Sequence, residues 1–159
     1  MKATVKHLLV KHEHKKPLVS TRAIFASPAI GILGSVASLP FRQVLLLPES
    51  TLAEFGLKYG DLRENIVIDG IDIHALPSGT VLQVGCVEIR LTFHCEPCGV
   101  IKDKVSPRKI LHKRGYLGVF LNEGEILLGD SVKVIDEKKY EPIPYSLGDR
   151  ILWYINKQS

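Results

Sequence analysis

Val81-Leu-Gln-Val-Gly-Cys-Val-Glu-Ile-Arg-Leu-Thr-Phe-His-Cys-Glu-Pro-Cys98 reads as two short strands joined by a turn at Gly85 and stopped at a Pro-Gly break. Apolar residues take alternate places from Val87 to Phe93, the period of a strand with one buried face. Gly85 supplies the backbone freedom a tight hairpin needs. The second strand then delivers His94, Cys95 and Cys98 to a loop. A thiolate is both a nucleophile and a soft metal ligand, so thiols displayed at a strand end are the first place to look for chemistry.

Working outward, similar short Val/Ile/Leu-rich runs cover Thr4 to Val10, Arg42 to Leu47, Asn65 to Ile68, Tyr116 to Leu121 and Ser131 to Ile135. Asp69-Gly70, Pro77-Ser-Gly79, Asn122-Glu-Gly124 and Gly129-Asp130 separate them with turn residues. The expected fold is mainly β, a compact antiparallel barrel with few short helices. Pro48 to Gly56 has an acidic first turn and a Gly stop, and predicts a helix of about two turns. A C-terminal helix is expected as well, capped by Ser146, with Asp149 in its first turn and an apolar stripe of Ile151, Leu152, Tyr154 and Ile155. Glu13 to Pro28 reads as a loop within the domain, and Lys102 to Arg114 as an exposed loop beside the cysteine pair, placed to serve as a lid.

At 159 residues and 45% hydrophobic content, one domain spanning 1–159 is expected. No apolar run reaches the roughly 20 residues of a membrane helix, and the first residues lack the apolar core of a secretory signal. Three cysteines do not suit a disulfide framework. A cytoplasmic protein with no membrane association is the expectation. The formal charge of +4 gathers in Lys2, Lys6, Lys11, Lys15 and Lys16, and again from Lys102 to Arg114. Basic groups without interleaved aromatics or a helical or zinc module do not suggest nucleic acid, and they suit a small charged ligand better.

Cys95-x-x-Cys98 admits half of a zinc site, a redox dithiol, a thiolate presented to another group, or two space-filling thiols at a barrel rim. A structural zinc site wants a second close pair of ligands, and the chain offers isolated candidates in Cys86, His94 and His112. A thioredoxin-like dithiol belongs at a helix N-terminus, whereas this pair ends a strand. Cys86 reads most simply as a small buried apolar group. His94 sits beside the pair and is a candidate ligand or proton donor, against the plainer reading of a structural histidine. His7, His12, His14, His74 and His112 share no spacing, and His12-Glu-His14 suggests no more than adventitious metal binding. No nucleophile elbow, P-loop or dinucleotide fingerprint is present.

Arg42-Gln-Val-Leu-Leu-Leu, Gly60-Asp-Leu-Arg-Glu-Asn65, Leu76-Pro-Ser-Gly-Thr-Val-Leu-Gln-Val-Gly85, Cys95-Glu-Pro-Cys98, Arg114-Gly and Gly124-Glu-Ile-Leu-Leu-Gly-Asp130 occur in an order that resembles the MOSC family. This is the C-terminal domain type of molybdenum cofactor sulfurases, and the resemblance spans roughly residues 30–135. It implies a compact β-barrel. It maps the family's reactive cysteine onto Cys98, which would ligate molybdenum in a pterin cofactor, while in a sulfur carrier Cys95 would act as the resolving thiol. It assigns Arg42, Arg63 and Arg114 to the cofactor's phosphate, Asn65 to shaping the pocket or touching ligand, and His94 to its neighbourhood, with Lys16 a weaker candidate. Implied activities are reduction of N-hydroxylated or N-oxide small molecules with an external electron donor, or sulfur transfer from a separate cysteine desulfurase through a Cys98 persulfide. A noncatalytic module that binds a partner protein is a third possibility. Pyridoxal phosphate is not expected, because a desulfurase needs a larger fold. Gly31-Ile-Leu-Gly-Ser-Val-Ala-Ser38 stands where many members carry Gly-Asp followed by His, and neither Ser35 nor Ala37 replaces those polar groups.

Overall fold

The computed structural model describes residues 2–36, 39 and 41–136 of the chain. Its strands are β1 (Ala3–Val10), β2 (Val19–Thr21), β3 (Ala23–Ser27), β4 (Gly31–Ile32), β5 (Val44–Pro48), β6 (Ile66–Asp69), β7 (Val81–Val84), β8 (Val87–His94), β9 (Tyr116–Phe120), β10 (Gly124–Leu127) and β11 (Ser131–Asp136). One α-helix, α1 (Glu49–Phe55), lies between β5 and β6. The expected C-terminal helix lies outside the described residues.

Seven strands in the order β11-β7-β8-β9-β5-β6-β1 close into a barrel, because β1 also pairs with β11 through Ala3 opposite Val132 and Thr4 opposite Ser131. β2 extends the sheet beyond β1, and β10-β3-β4 form a second, small sheet. Adjacent barrel strands are antiparallel except β5 and β6, which run parallel. The exception follows from α1. A parallel pair needs a crossover, and this helix with the loop to Asn65 supplies it. Gly56 ends the helix in the left-handed region at φ 65°, and Leu57 N–H returns to Leu52 C=O at 2.8 Å.

β5 shows how the sequence covers both faces of the wall. Val44 and Leu46 enter the barrel interior, Leu47 packs under α1 with Leu52, and Leu45 joins Phe41, Phe93, Cys95 and Leu117 on the outer wall. Two covered faces explain a continuous apolar run where a half-exposed strand would alternate. Each such fully buried Leu contributes about 1.5–3 kcal/mol.

β8 carries the irregularity that positions the thiols. Leu91 lies opposite Gly118 but His94 lies opposite Tyr116, so β8 has one more residue than β9 across that interval. This β-bulge inverts the inward and outward parity of the strand. Ile89 and Leu91 face the interior, while beyond the bulge Phe93 and Cys95 face outward. Without the extra residue Cys95 would enter the core.

Three local expectations are corrected. Cys86 is exposed, because Gly85 (φ 60°) and Cys86 form the two-residue turn between Val84 and Val87, and the Cys86 thiol reaches the Glu125 carbonyl at 3.5 Å. Residues 13–28 contain β2 and β3: β2 is three residues, two of them polar, and β3 pairs with a strand far along the chain, Ala26 opposite Gly124. Residues 102–114 form the expected, mostly exposed loop, but one anchored at several points and not free to act as a lid. Ile110 and the preceding Ile101 are fully buried against Leu62 and Val67, and Lys113 pairs with Glu54 at 2.8 Å.

Candidate functional site

Beside the outer-wall cluster lies a cavity of about 350 Å³, lined by Lys11, Arg42, Arg63 and Arg114, the thiols Cys95 and Cys98, the polar Ser35, Gln43 and Asn65, and an apolar wall of Ile30, Ile32, Val36, Leu39, Leu45, Val100 and Leu117. Four cations face it, and none of its described lining residues is acidic. Its size is that of a small-molecule site. Like charge gathered in one cleft focuses a field that favours anions.

Each charged group is aimed by local structure. Lys11 follows the last residue of β1, and its carbonyl accepts Val36 N–H at 2.7 Å and the Ser35 hydroxyl at 3.3 Å, which ties the 31–36 segment to the cavity rim. Burial first, then the charges of Arg63 and Arg42, hold its ammonium below the ordinary lysine pKa. Arg63 adopts a left-handed φ of 62° and donates to the Lys16 carbonyl at 3.0 Å. That tight loop is organised by Glu64, fully buried, whose carboxylate accepts the N–H groups of Gly60 and Leu62. Burial pushes the Glu64 carboxyl up, and these amide donors offset part of the rise. Asn65 bridges strands: its Oδ1 accepts Leu45 N–H at 3.0 Å and its Nδ2 donates to Leu9 C=O at 3.3 Å. Its side chain therefore shapes the cavity by holding β1 and β5 around it.

Arg114 is 5% exposed and locks the cysteine loop. Its Nη1 donates to the Glu96 carbonyl at 2.7 Å and to Cys98 Sγ at 3.3 Å, while its buried Nε has no hydrogen-bond partner among the described residues. A guanidinium held against sulfur gives a charge-assisted contact. Cys98 itself is exposed, in extended conformation at φ −137°, just before a single 3₁₀ turn at Gly99–Ile101 anchored by buried Ile101. Cys95 is its opposite: 3% exposed, with burial raising its thiol pKa against the pull of Arg114 and Arg42. One thiol is offered to solvent and the other is withheld.

Of the residues singled out from sequence, Cys95, Cys98, Arg42, Arg63, Asn65 and Arg114 meet at this cavity, and His94 does not. The bulge places His94 on the Tyr116 side, with ring centroids 4.5 Å from Tyr116, 5.7 Å from His74 and 6.0 Å from His112. Lys16 contributes its carbonyl to Arg63 and does not line the cavity. Sequence reasoning missed Lys11 and Gln43 as lining groups. The signal for Lys11 was a cation placed directly at a strand end; Gln43 lay inside the Arg42 motif, where it braces Phe120 N–H through Oε1 and Pro28 C=O through Nε2. Among the described residues no group of three or more His, Cys, Asp or Glu is arranged to hold a metal ion unaided, so the half-zinc reading gains no second pair. No helix among them is long and apolar enough to cross a membrane.

A family model described as the MOSC domain matches residues 34–133. Among curated proteins no match is found. Among solved structures, the YUAD protein of Bacillus subtilis superposes with a TM-score of 0.68 at 15% identity, covering 83% of this chain and 94% of that one. YiiM of Geobacillus stearothermophilus gives 0.63 at 15% identity over 84% and 75% of the two chains. YiiM of Escherichia coli gives 0.65 at 13% identity over 98% and 78%.

Proposed function

This chain belongs to the MOSC domain family, and we propose from that premise that its cavity binds a molybdenum–pterin cofactor with Cys98 as the protein ligand to the metal. The observation that carries the reading is the meeting of an accessible thiol with four cations and no acid around a space of about 350 Å³. The donor set fits the group: a soft thiolate suits molybdenum, and basic side chains suit a pterin's phosphate. When bound, the cofactor supplies the redox chemistry, and reduction of N-hydroxylated or N-oxide compounds with an external electron donor is the matching reaction class. The chain's own residues bind and orient. Lys11, Arg42 and Arg63 neutralise anionic oxygens, Arg114 fixes the direction of Cys98 Sγ, and the exposed Ile30, Leu39 and Val100 add apolar lining.

The test is the molybdenum and pterin content of wild type and Cys98→Ser produced in a host that makes the cofactor. Metal near one atom per chain in wild type and its loss in the variant are expected. Equal loading of both proteins removes Cys98 from the site, and a wild type without metal or pterin refutes the cofactor reading.

A second reading has its own support. In a sulfur carrier, Cys98 would hold sulfane sulfur as a persulfide, and a reactive neighbouring thiol would discharge it. Cys95 is buried and that burial raises its thiol pKa, which makes it a poor resolving nucleophile and lets the persulfide survive to meet an acceptor.

A further inference from the structure

We propose that Cys98 draws sulfane sulfur directly from a small thiosulfonate-type anion, of which thiosulfate is the simplest, held in the cavity by Lys11, Arg42 and Arg63. The inference rests on the sulfur-carrier reading and names its donor. Three cations inside a cavity of about 350 Å³ match the charge and the size of a small anion. A thiosulfonate has what the lining asks for in one molecule: hard anionic oxygens for the cations, and a soft electrophilic sulfur for the thiolate.

The step balances without an added oxidant or reductant. Cys98 Sγ, as thiolate, attacks the outer sulfur of thiosulfate; the new Sγ–S bond forms as the sulfur–sulfur bond of thiosulfate breaks, and the electron pair leaves on sulfite. A thiolate and a dianion become a persulfide anion and a dianion. Two anions must meet, which bulk water opposes and the surrounding cations reverse. The departing sulfite gains charge on its oxygens where the cations already stand, so their placement favours the transition state as well as binding. Arg114, donating to Cys98 Sγ at 3.3 Å, keeps the sulfur directed during attack. A nucleophilic acceptor, a low-molecular-weight thiol or cyanide, then removes the outer sulfur and regenerates the thiolate.

The experiment uses the full chain, produced without cofactor, reduced and desalted, then incubated with thiosulfate. Expected are a mass gain of one sulfur on the Cys98 peptide, lability of that sulfur to cyanide, and release of an equal amount of sulfite. Cys98→Ser gains no sulfur, and Cys86→Ser, in the turn between β7 and β8 and outside the cavity lining, loads like wild type. Lys11→Met preserves side-chain bulk and touches none of the backbone bonds at that position; it requires about tenfold more thiosulfate for half-loading, the loss of one charge-assisted contact. Half-loading unchanged in Lys11→Met overturns the cavity as the donor's binding place. Reaction of the Cys98 peptide with uncharged dithiodipyridine but not with thiosulfate overturns the anionic donor and leaves the carrier reading standing. Reaction with neither reagent overturns both. Molybdenum content is read separately, so loading by thiosulfate in a protein that never binds the cofactor supports this inference while refuting the first reading of the site.

Discussion

Acidification acts on this fold through His74. Its Nε2 accepts the Gly115 amide at 2.9 Å, so the ring carries its proton on Nδ1 and must lose that bond if Nε2 protonates. Burial, with the charge of His94 as a second cause, holds the pKa near 4 against an ordinary 6.5. The unfolded chain lacks these constraints. Between the two values the unfolded state therefore binds more protons, and stability rises with pH; the contribution is full above about 6.5 and is lost as the pH falls toward about 4. At roughly 1.4 kcal/mol per pH unit the ceiling is about 3 kcal/mol. The ring is half-buried, and solvent screening reduces the expected effect to about 2 kcal/mol. Urea unfolding of wild type and His74→Gln across this range measures it. Glutamine offers an oxygen to Gly115 without titrating, so wild type should lose about 2 kcal/mol more than the variant on acidification. Parallel stability profiles for the two proteins would refute the assignment.

Other perturbations test the remaining framework. Gly115→Ala should cost about 3 kcal/mol or more, read as a lowered melting temperature, because φ is 110° and a Cβ would lie 2.7 Å from the Leu46 carbonyl. Asn65→Ala should cost about 2–3 kcal/mol in denaturant unfolding, since it leaves Leu45 N–H and Leu9 C=O without their side-chain partners. Brief iodoacetamide treatment of the folded protein should modify Cys86 and Cys98 and spare Cys95, with all three reacting in denaturant; peptide mass mapping reads the pattern.

All seven barrel strands were legible from sequence because each is a Val/Ile/Leu-rich run bounded by turn residues, and most boundaries fall within two residues of the observed ones. β2 and β4 were not separated as strands because they span three and two residues, and β3 and β10 because their pairing is one that local sequence does not announce, with Ala26 opposite Gly124. The helix at residue 49 was visible through its acidic start and glycine stop, but the parallel pairing it forces between β5 and β6 was not. At the site, the motif blocks pointed to six of the cavity's lining residues. His94 was misplaced because adjacent residues on a strand face opposite ways, and the bulge decides which of His94 and Cys95 looks outward. Asn65 resolved toward shaping the cavity once both ends of its amide were seen to be engaged by backbone.

The barrel's seam, two residue pairs between β1 and β11, also sets a timetable for the nascent chain. Ala3 emerges from the ribosome early and waits for Val132, while Lys11, Arg42, Arg63 and Arg114 are strung across more than one hundred positions of sequence. Contacts of such separation form slowly, and the Ala3–Thr4 end of β1 lacks its β11 partner meanwhile. Cys98 is thus synthesised before the wall that will surround it is complete. Conditions that slow closure, such as crowding of unfolded chains at high expression, should yield protein whose cysteines are oxidised or cross-linked before the charged cavity exists.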